Sequence, residues 1–376
     1  MVATLSLVEC MSVVEDPRVD RTKVHDLQDI LVLSVLAVLC GADGWEDIEL
    51  FARIRFSWLK KFIKLRNGIP SHDTISRVFR VIRPDAFQEA FLAWVSGLDF
   101  GSDGLNVVAI DGKSLRRSHD KKTFKSMLHS VAAWSVANRM VLGCQSVDQK
   151  SNEIGAIPEL LKKLELKGAI ITMDAMGSQK EVAAQIVDGG GDYVLAIKDN
   201  HPKLANAMRE YFDSVHEEGL VENGVRHHET ADAKHGRQEN RYAYQAPIPD
   251  SMKELTKGWK GAKSIGQVHN ITVRDGKETS EIRYYLSSQP VSVKRFAEAV
   301  RAHWGIENSF HWVLDMTFNE DQSRIRKGHG PDNFALLRRF AINILSLDTS
   351  KESTRKKRKR AAWDQNYLLN CLAAII

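Results

Sequence analysis

The chain has 376 residues, of which 43% are hydrophobic and 27% charged, with a formal net charge of +5. That balance belongs to a folded globular chain of about two domains and excludes a disordered, collagenous or coiled-coil sequence. Cys10, Cys40, Cys144 and Cys371 are scattered with no Cys-x-x-Cys pair, which argues against a zinc or disulfide framework and fits a reducing, cytoplasmic setting.

The N-terminus lacks the basic-then-apolar pattern of a secretory signal. The most apolar stretch, residues 30–40, is shorter than the roughly 20 residues that span a bilayer, so no membrane partner is expected. Charge is uneven: residues 321–360 hold twelve Lys/Arg against four Asp/Glu, and residues 51–100 hold nine against four. Two basic regions around a more acidic middle suit a polyanion such as double-stranded DNA, although solvated helix faces would look the same.

In chain order, residues 20–95 read as helical. Residues 26–39 form an apolar helix with a polar start. Residues 45–64 carry Trp45, Ile48, Phe51, Ile54, Trp58 and Phe62 at spacings of three and four, an amphipathic helix. Pro70-Ser71-His72-Asp73 opens a short helix over 74–82 that exposes Arg77, Arg80 and Arg83, and Pro84-Asp85 opens another to about residue 98. Residues 68–82 could belong to a helix-turn-helix.

Near residue 105 the pattern changes to strands. Residues 106–111 are an apolar run ending on Asp111; 127–136 and 140–147 read as a hairpin; 154–164 is a helix. Residues 169–174 are a second apolar run ending on Asp174, followed by a helix over 178–187 and a buried strand over 193–198. An antiparallel start that becomes βαβ units means a mixed sheet with helices on its faces, the order of the RNase H-like fold. Residues 203–216 are helical. The stretches 225–246, 265–275 and 278–288 alternate as antiparallel strands, and residues 292–313 return to a helix. The expected class is thus α/β: an RNase H-like mixed-sheet core with a β-rich insertion and a helical N-terminal region.

Asp111 and Asp174 both end predicted buried strands, where ligand sites in open α/β sheets gather. If the strands are neighbours, two ionised carboxylates lie together and repel unless a cation intervenes. Oxygen donors suit Mg²⁺ or Mn²⁺. Either Asp alone could equally cap a loop amide. A third ligand is needed to hold two ions about 3.5–4 Å apart, and Glu307 is the candidate. His303, Glu307 and His311 recur at i, i+4 and i+8 on nearly one helix face, with Trp304 and Trp312 as an apolar stripe expected to pack on the sheet. A surface Glu between solvated histidines, or a zinc site using His303 and His311, would fit the same spacing.

These residues resemble the DDE transposases of bacterial insertion sequences, specifically the H-repeat-associated subgroup. The resemblance spans nearly the whole chain. It rests on Ile69-Pro70-Ser71-His72-Asp73-Thr74-Ile75, Ala109-Ile110-Asp111-Gly112-Lys113, Asp174-Ala175, Lys198-Asp199-Asn200-His201, and His235-Gly236-Arg237-Gln238-Glu239-Asn240-Arg241. It ends with His303-Trp304-Gly305-Ile306-Glu307-Asn308 and Phe318-Asn319-Glu320-Asp321. It implies Asp111, Asp174 and Glu307 as the catalytic, metal-binding triad for two Mg²⁺ (or Mn²⁺) ions, with the insertion between the second and third acids. The chain departs from the wider superfamily signature of tyrosine, arginine, glutamate and lysine, having Val300, His303 and Leu314 beside Glu307.

The resemblance implies an insertion-sequence transposase that binds terminal repeats and target DNA, cleaves phosphodiesters and transfers strands. A homodimer assembled on that DNA is one arrangement it allows. An RNase H-like nuclease without strand transfer, or an inactive or domesticated DNA-binding copy, are the alternatives. Arg77, Lys113, Lys198, Arg237, Arg241, His303, Arg324 and Arg326 are candidate DNA contacts, with Arg116 and Arg117 following Lys113. The expected organisation is a helical DNA-binding region over 1–100, the first part of the core over 105–200, and the β-rich insertion over 201–290. The rest of the core with the Glu helix follows over 291–350, and a basic tail over 351–376 contains the run Arg355–Arg360.

Overall fold

A computed structural model describes residues 6–98, 105–118, 127–147, 153–220, 223–234 and 236–373. Its centre is one nine-stranded sheet. The strands are β1 (Val107–Leu115), β2 (Leu128–Ser135), β3 (Met140–Val147), β4 (Ile170–Met173), β5 (Asp192–Ile197), β6 (Arg226–Lys234), β7 (Arg237–Pro247), β8 (Ser264–Arg274) and β9 (Lys277–Ser287). Their order is β3-β2-β1-β4-β5-β9-β8-β7-β6. Only β1/β4 and β4/β5 are parallel. The first five strands are an RNase H-like sheet. Every residue of β4 is buried, as a central parallel strand covered on both faces requires.

The strands of the insertion continue this sheet, because β9 pairs antiparallel with β5 from Val194↔Ser287 to Ile197↔Tyr284. Their near halves are buried, and their far halves are half-buried in β8 and exposed in β9, so the ribbon runs off the edge of the core.

Helices cover both faces. On one side, α7 (Glu153–Leu161), α8 (Lys180–Asp188) and α9 (Pro202–Glu218) pack on Val108, Ile110, Val131 and Leu195. The short α10 (Lys253–Thr256) leads into β8. The other face carries the N-terminal helices and the helices from residue 293 onward. The former are α1 (Leu7–Met11), α2 (Leu27–Leu39), α3 (Trp45–Ile54), α4 (Phe56–Leu59), α5 (His72–Val81) and α6 (Pro84–Ser96). Their apolar cluster is continuous with Ala109, Ala132 and Trp134 of the sheet, so the N-terminal helices share a core with the sheet. The helix expected over 45–64 breaks at Arg55, where the backbone turns to φ −101° and ψ 13°. The Arg55 guanidinium there donates to the Ala362 carbonyl at 2.9 Å. In α5, Ile75, Ser76, Val78 and Phe79 are buried.

After α11 (Val293–Ile306), a π-helical turn over Glu307–His311 and α12 (Trp312–Met316) comes α13 (Gly330–Leu347). It is buried almost throughout and was not expected from the sequence. Its Arg338 and Arg339 disguise it: both are buried and face Glu320 at 3.7 and 3.4 Å, and Arg339 also donates to Ser130 Oγ at 2.9 Å. Asn343 does a second polar task. Its side chain accepts from the Val141 amide and donates to the Val141 carbonyl, both at 2.8 Å. It thereby satisfies backbone groups that β3, as an edge strand, would leave unpaired.

The stretch expected as a basic tail folds as α14 (Thr354–Trp363) and α15 (Gln365–Ala373). Ser353 caps α14 by accepting from Lys356 N. Lys357 and Arg358 are buried: Lys357 Nζ donates to the Asp348 carbonyl, and the Arg358 guanidinium donates to the carbonyls of Val38, Ala42 and Thr317 and to Asp43 Oδ1. Among the described residues, no helix is long and apolar enough to cross a membrane.

Candidate active site

The site forms where β4 stops. The last parallel pair is Ile110↔Met173, so the next residues, Asp111 and Asp174, stand side by side at that edge. The strand carrying Asp111 does not end there, as expected, but runs on antiparallel to β2 as far as Leu115. Strand alternation puts Asp111 on the face covered by the Glu307 helix.

That helix crosses the sheet edge. His303 Nδ1 meets Thr172 Oγ1 of β4 at 3.1 Å. One π turn further on, His311 reaches β1, with Nδ1 3.6 Å from Asp111 Oδ2 and 3.5 Å from Glu307 Oε2. π turns of this kind are frequent at functional sites. The helix is anchored by Phe310, which stacks on Trp134 of β2 at 5.0 Å, and by buried Ile306 and Leu314. The expected Trp304–Trp312 stripe is not the packing face. Trp312 is exposed, and Trp304 lies under the Arg283 guanidinium at 4.2 Å.

Asp111, Glu307 and His311 each offer a ligand atom, and the three atoms lie within 4.8 Å of one another. Asp174 is the neighbour of this trio and not a member of it. Its side chain is exposed, with Oδ1 accepting from the Gly177 amide at 3.0 Å. The loop bearing it is pinned by the end of β5: Asn200 Nδ2 donates to the Ala175 and Ser178 carbonyls, and His201 Nε2 contacts the Ser178 carbonyl at 2.8 Å.

The electrostatics fit a cation site. Burial pushes the Asp111 carboxyl up to about 7; Glu307 and Asp174 push the same way, while His311 and the Gly112 amide oppose. The His311 ring, against some desolvation, holds the Glu307 carboxyl below its ordinary value. Burial pushes His303 down to about 4, so it is neutral at physiological pH. Two carboxylates with a buried imidazole Nδ1 beside them are a donor set that fits a divalent ion.

The other basic candidates divide. Lys113 is nearly buried and paired with Asp315 at 2.7 Å and Asp321 at 3.5 Å; Arg116 also approaches Asp321, at 3.3 Å. Arg237 pairs with Glu239 at 2.9 Å, and Arg241 with both Asp232 and Glu239. These residues and Arg301 line a groove of about 650 Å³ between the ribbon and α11, ending at Trp304 and Asn308. Arg77, Lys198, Arg324 and Arg326 are exposed, with Arg326 Nε donating to the Arg117 carbonyl at 3.1 Å. His235 lies outside the described residues.

Comparison with known proteins agrees with this geometry. The family model described as "Transposase DDE domain" matches residues 102–344, and "DDE_Tnp_1-associated" matches residues 8–95. The chain belongs to the DDE transposase family. It is 41% identical over 375 residues to the "H repeat-associated putative transposase YhhI" of Escherichia coli K12, covering 98% of this chain and 97% of that one. It is 40% identical over 373 residues to the "Putative transposase YncI" of Escherichia coli O157:H7, covering 98% and 95%. The "Inactive transposase YbfQ" of strain K12 is 49% identical over 72 residues, 19% of this chain and 86% of that one. Membership implies DNA as the partner, and DDE transposases generally use divalent metal ions.

The sequence reading placed Asp111 and Glu307 at the site but did not foresee His311 as the third member of the tight cluster. Its signal is the i, i+4 spacing from Glu307, which in the sequence alone also fits a zinc pair with His303.

Proposed function

We propose that this DDE transposase acts on insertion-sequence ends: it binds double-stranded terminal-repeat DNA, cleaves a phosphodiester there and transfers the freed strand to target DNA. The observation that carries this reading is the convergence of Asp111 and Glu307, with Asp174 alongside, at the exposed end of the central parallel strands. In it, Asp111, Asp174 and Glu307 would together hold the two ions, with Asp111 shared between them. Two Mg²⁺ or Mn²⁺ ions, when bound, offset charge on the attacking and leaving oxygens of an in-line displacement. Buried Ile306 and Phe310, the latter stacked on Trp134, hold the helix that carries Glu307 and His311 on the sheet. The Gly177 amide orients Asp174. The exposed Arg77, Lys198, Arg324 and Arg326 position the duplex through its phosphates. Lys113, Arg237 and Arg241 contribute to that path only if DNA displaces the acids they now face, and neutral His303 positions the helix through Thr172.

The test is cleavage and joining of a terminal-repeat duplex in Mg²⁺ by the wild type and by Asp111→Asn, Asp174→Asn and Glu307→Gln. Each variant is expected to lose cleavage while binding DNA within a few-fold of the wild type. Wild-type rates in any of them would remove that residue from the triad. Cleaved but unjoined product from the wild type would make the protein a nuclease.

A further inference from the structure

We propose that His311 is a direct ligand of one of the two ions, making the pair chemically unequal. Asp111, Glu307 and His311 form a mixed nitrogen–oxygen position, and Asp111 with Asp174 form an all-oxygen one. The inference rests on the metal-dependent reading above and deepens it.

Three observations carry it. First, His311 Nδ1 lies 3.5 Å from Glu307 Oε2 and 3.6 Å from Asp111 Oδ2. Hydrogen bonds of this type run to about 3.2 Å. Two ligands each about 2.1 Å from a shared ion, at octahedral to tetrahedral angles, are separated by roughly 3.0–3.5 Å. The spacing is therefore that of co-ligands slightly opened. Second, the His311 side chain is only 7% exposed, and among the described residues its Nε2 has no hydrogen-bond partner. This buried ring aims Nδ1 at two carboxylates from two different elements. Third, Lys113, two residues along β1 from Asp111, is paired with Asp315 and Asp321. That cation is committed elsewhere, and the inner carboxylate pair faces an imidazole.

Imidazole favours Mn²⁺, Co²⁺ and Zn²⁺ over Mg²⁺ relative to an all-oxygen set. The full-length protein is therefore expected to take up one Mn²⁺ or Co²⁺ more tightly than the second, and that preference should depend on His311 and not on Asp174.

The experiment loads the full chain with Mn²⁺ and reads nitrogen coupling by pulsed electron paramagnetic resonance. It also follows Mn²⁺ and Co²⁺ affinity by titration, in the wild type, His311→Gln, His303→Gln and Asp174→Asn. Directly bound imidazole nitrogen is expected in the wild type, His303→Gln and Asp174→Asn, and not in His311→Gln. Affinity at the tighter position should fall roughly 10–100-fold in His311→Gln. Absence of imidazole coupling in Mn²⁺-loaded wild type overturns the proposal, even if His311→Gln fails to fold. So does coupling that survives in folded His311→Gln. Wild type that cleaves terminal-repeat DNA without such coupling keeps the transposase reading and loses only the His311 ligand. Wild type that neither binds Mn²⁺ nor cleaves loses both.

Discussion

Replacing Asp111 by Asn should make the metal-free protein more stable while removing its activity. Burial pushes this carboxyl from an ordinary value of 3.8 up to about 7. A tenfold change in proton affinity is about 1.4 kcal/mol, so keeping Asp111 ionised costs the folded state at most about 4 kcal/mol. The amide keeps the shape and has no charge to desolvate, so a gain of about 2–4 kcal/mol is expected in chelator at pH 8. The sign follows from a folded value raised above the unfolded one in an acid. Below about pH 4 both states hold the proton and the cost is nil. It grows as pH rises toward 7 and is level above. The advantage of Asp111→Asn should therefore open between those values. Divalent ion should then close the gap from the wild-type side, by about 2.7 kcal/mol at a hundred times its dissociation constant. Urea unfolding at pH 4 and pH 8, with chelator and with Mn²⁺, reads all of this. An Asn variant less stable than wild type at pH 8 in chelator, or an advantage of equal size at pH 4, would refute the reasoning.

Three further outcomes are expected. Arg358→Ala should destabilise the protein by about 3–5 kcal/mol in urea unfolding, since it strands three buried carbonyls and Asp43; a loss under 1 kcal/mol would return the basic run to the surface. Lys356 and Lys359 are exposed, so changing both to Ala should leave stability within about 0.5 kcal/mol. If the exposed face of α14 touches DNA, the same change should reduce the slope of log affinity against log salt by about 0.9 for each phosphate no longer neutralised; an unchanged slope would place α14 off the DNA. Asn200→Ala unpins the loop bearing Asp174, and cleavage should fall roughly tenfold or more with little change in thermal stability; undiminished cleavage would show that the Asp174 loop holds its shape unaided.

Much of the architecture was legible in the order of residues, because burial is written locally. The apolar runs at 106–111 and 169–174 and the alternation after residue 225 report which faces meet a core. Two such runs, each ended by an Asp, were enough to locate one edge of the site, and the four-residue spacing of His303, Glu307 and His311 was enough to put them on one helix face. The same local logic failed where charge is buried. Arg338 and Arg339 broke the apolar pattern of α13, and Arg355–Arg360 looked like a solvated tail. In both cases the compensating partners, Glu320 for the first and the carbonyls of Val38, Ala42 and Thr317 for the second, come from other segments. A charged residue's environment is set by what lies across from it, and no local pattern carries that.

The same division runs through the site. The core strands, the Glu307 helix, and the placement of Asp111, Asp174 and Glu307 on or just beyond them followed from the sequence. Tertiary structure alone decided that β1 continues past Asp111, that Asp174 is drawn toward Gly177, and that a π turn swings His311 instead of His303 onto the Asp111 carboxylate. It also decided that Lys113, Arg237 and Arg241 face acids. Each of these depends on register between strands or on rotation about a helix axis. A shift of one residue redirects a side chain to a different neighbour without changing the periodicity from which the elements themselves were read.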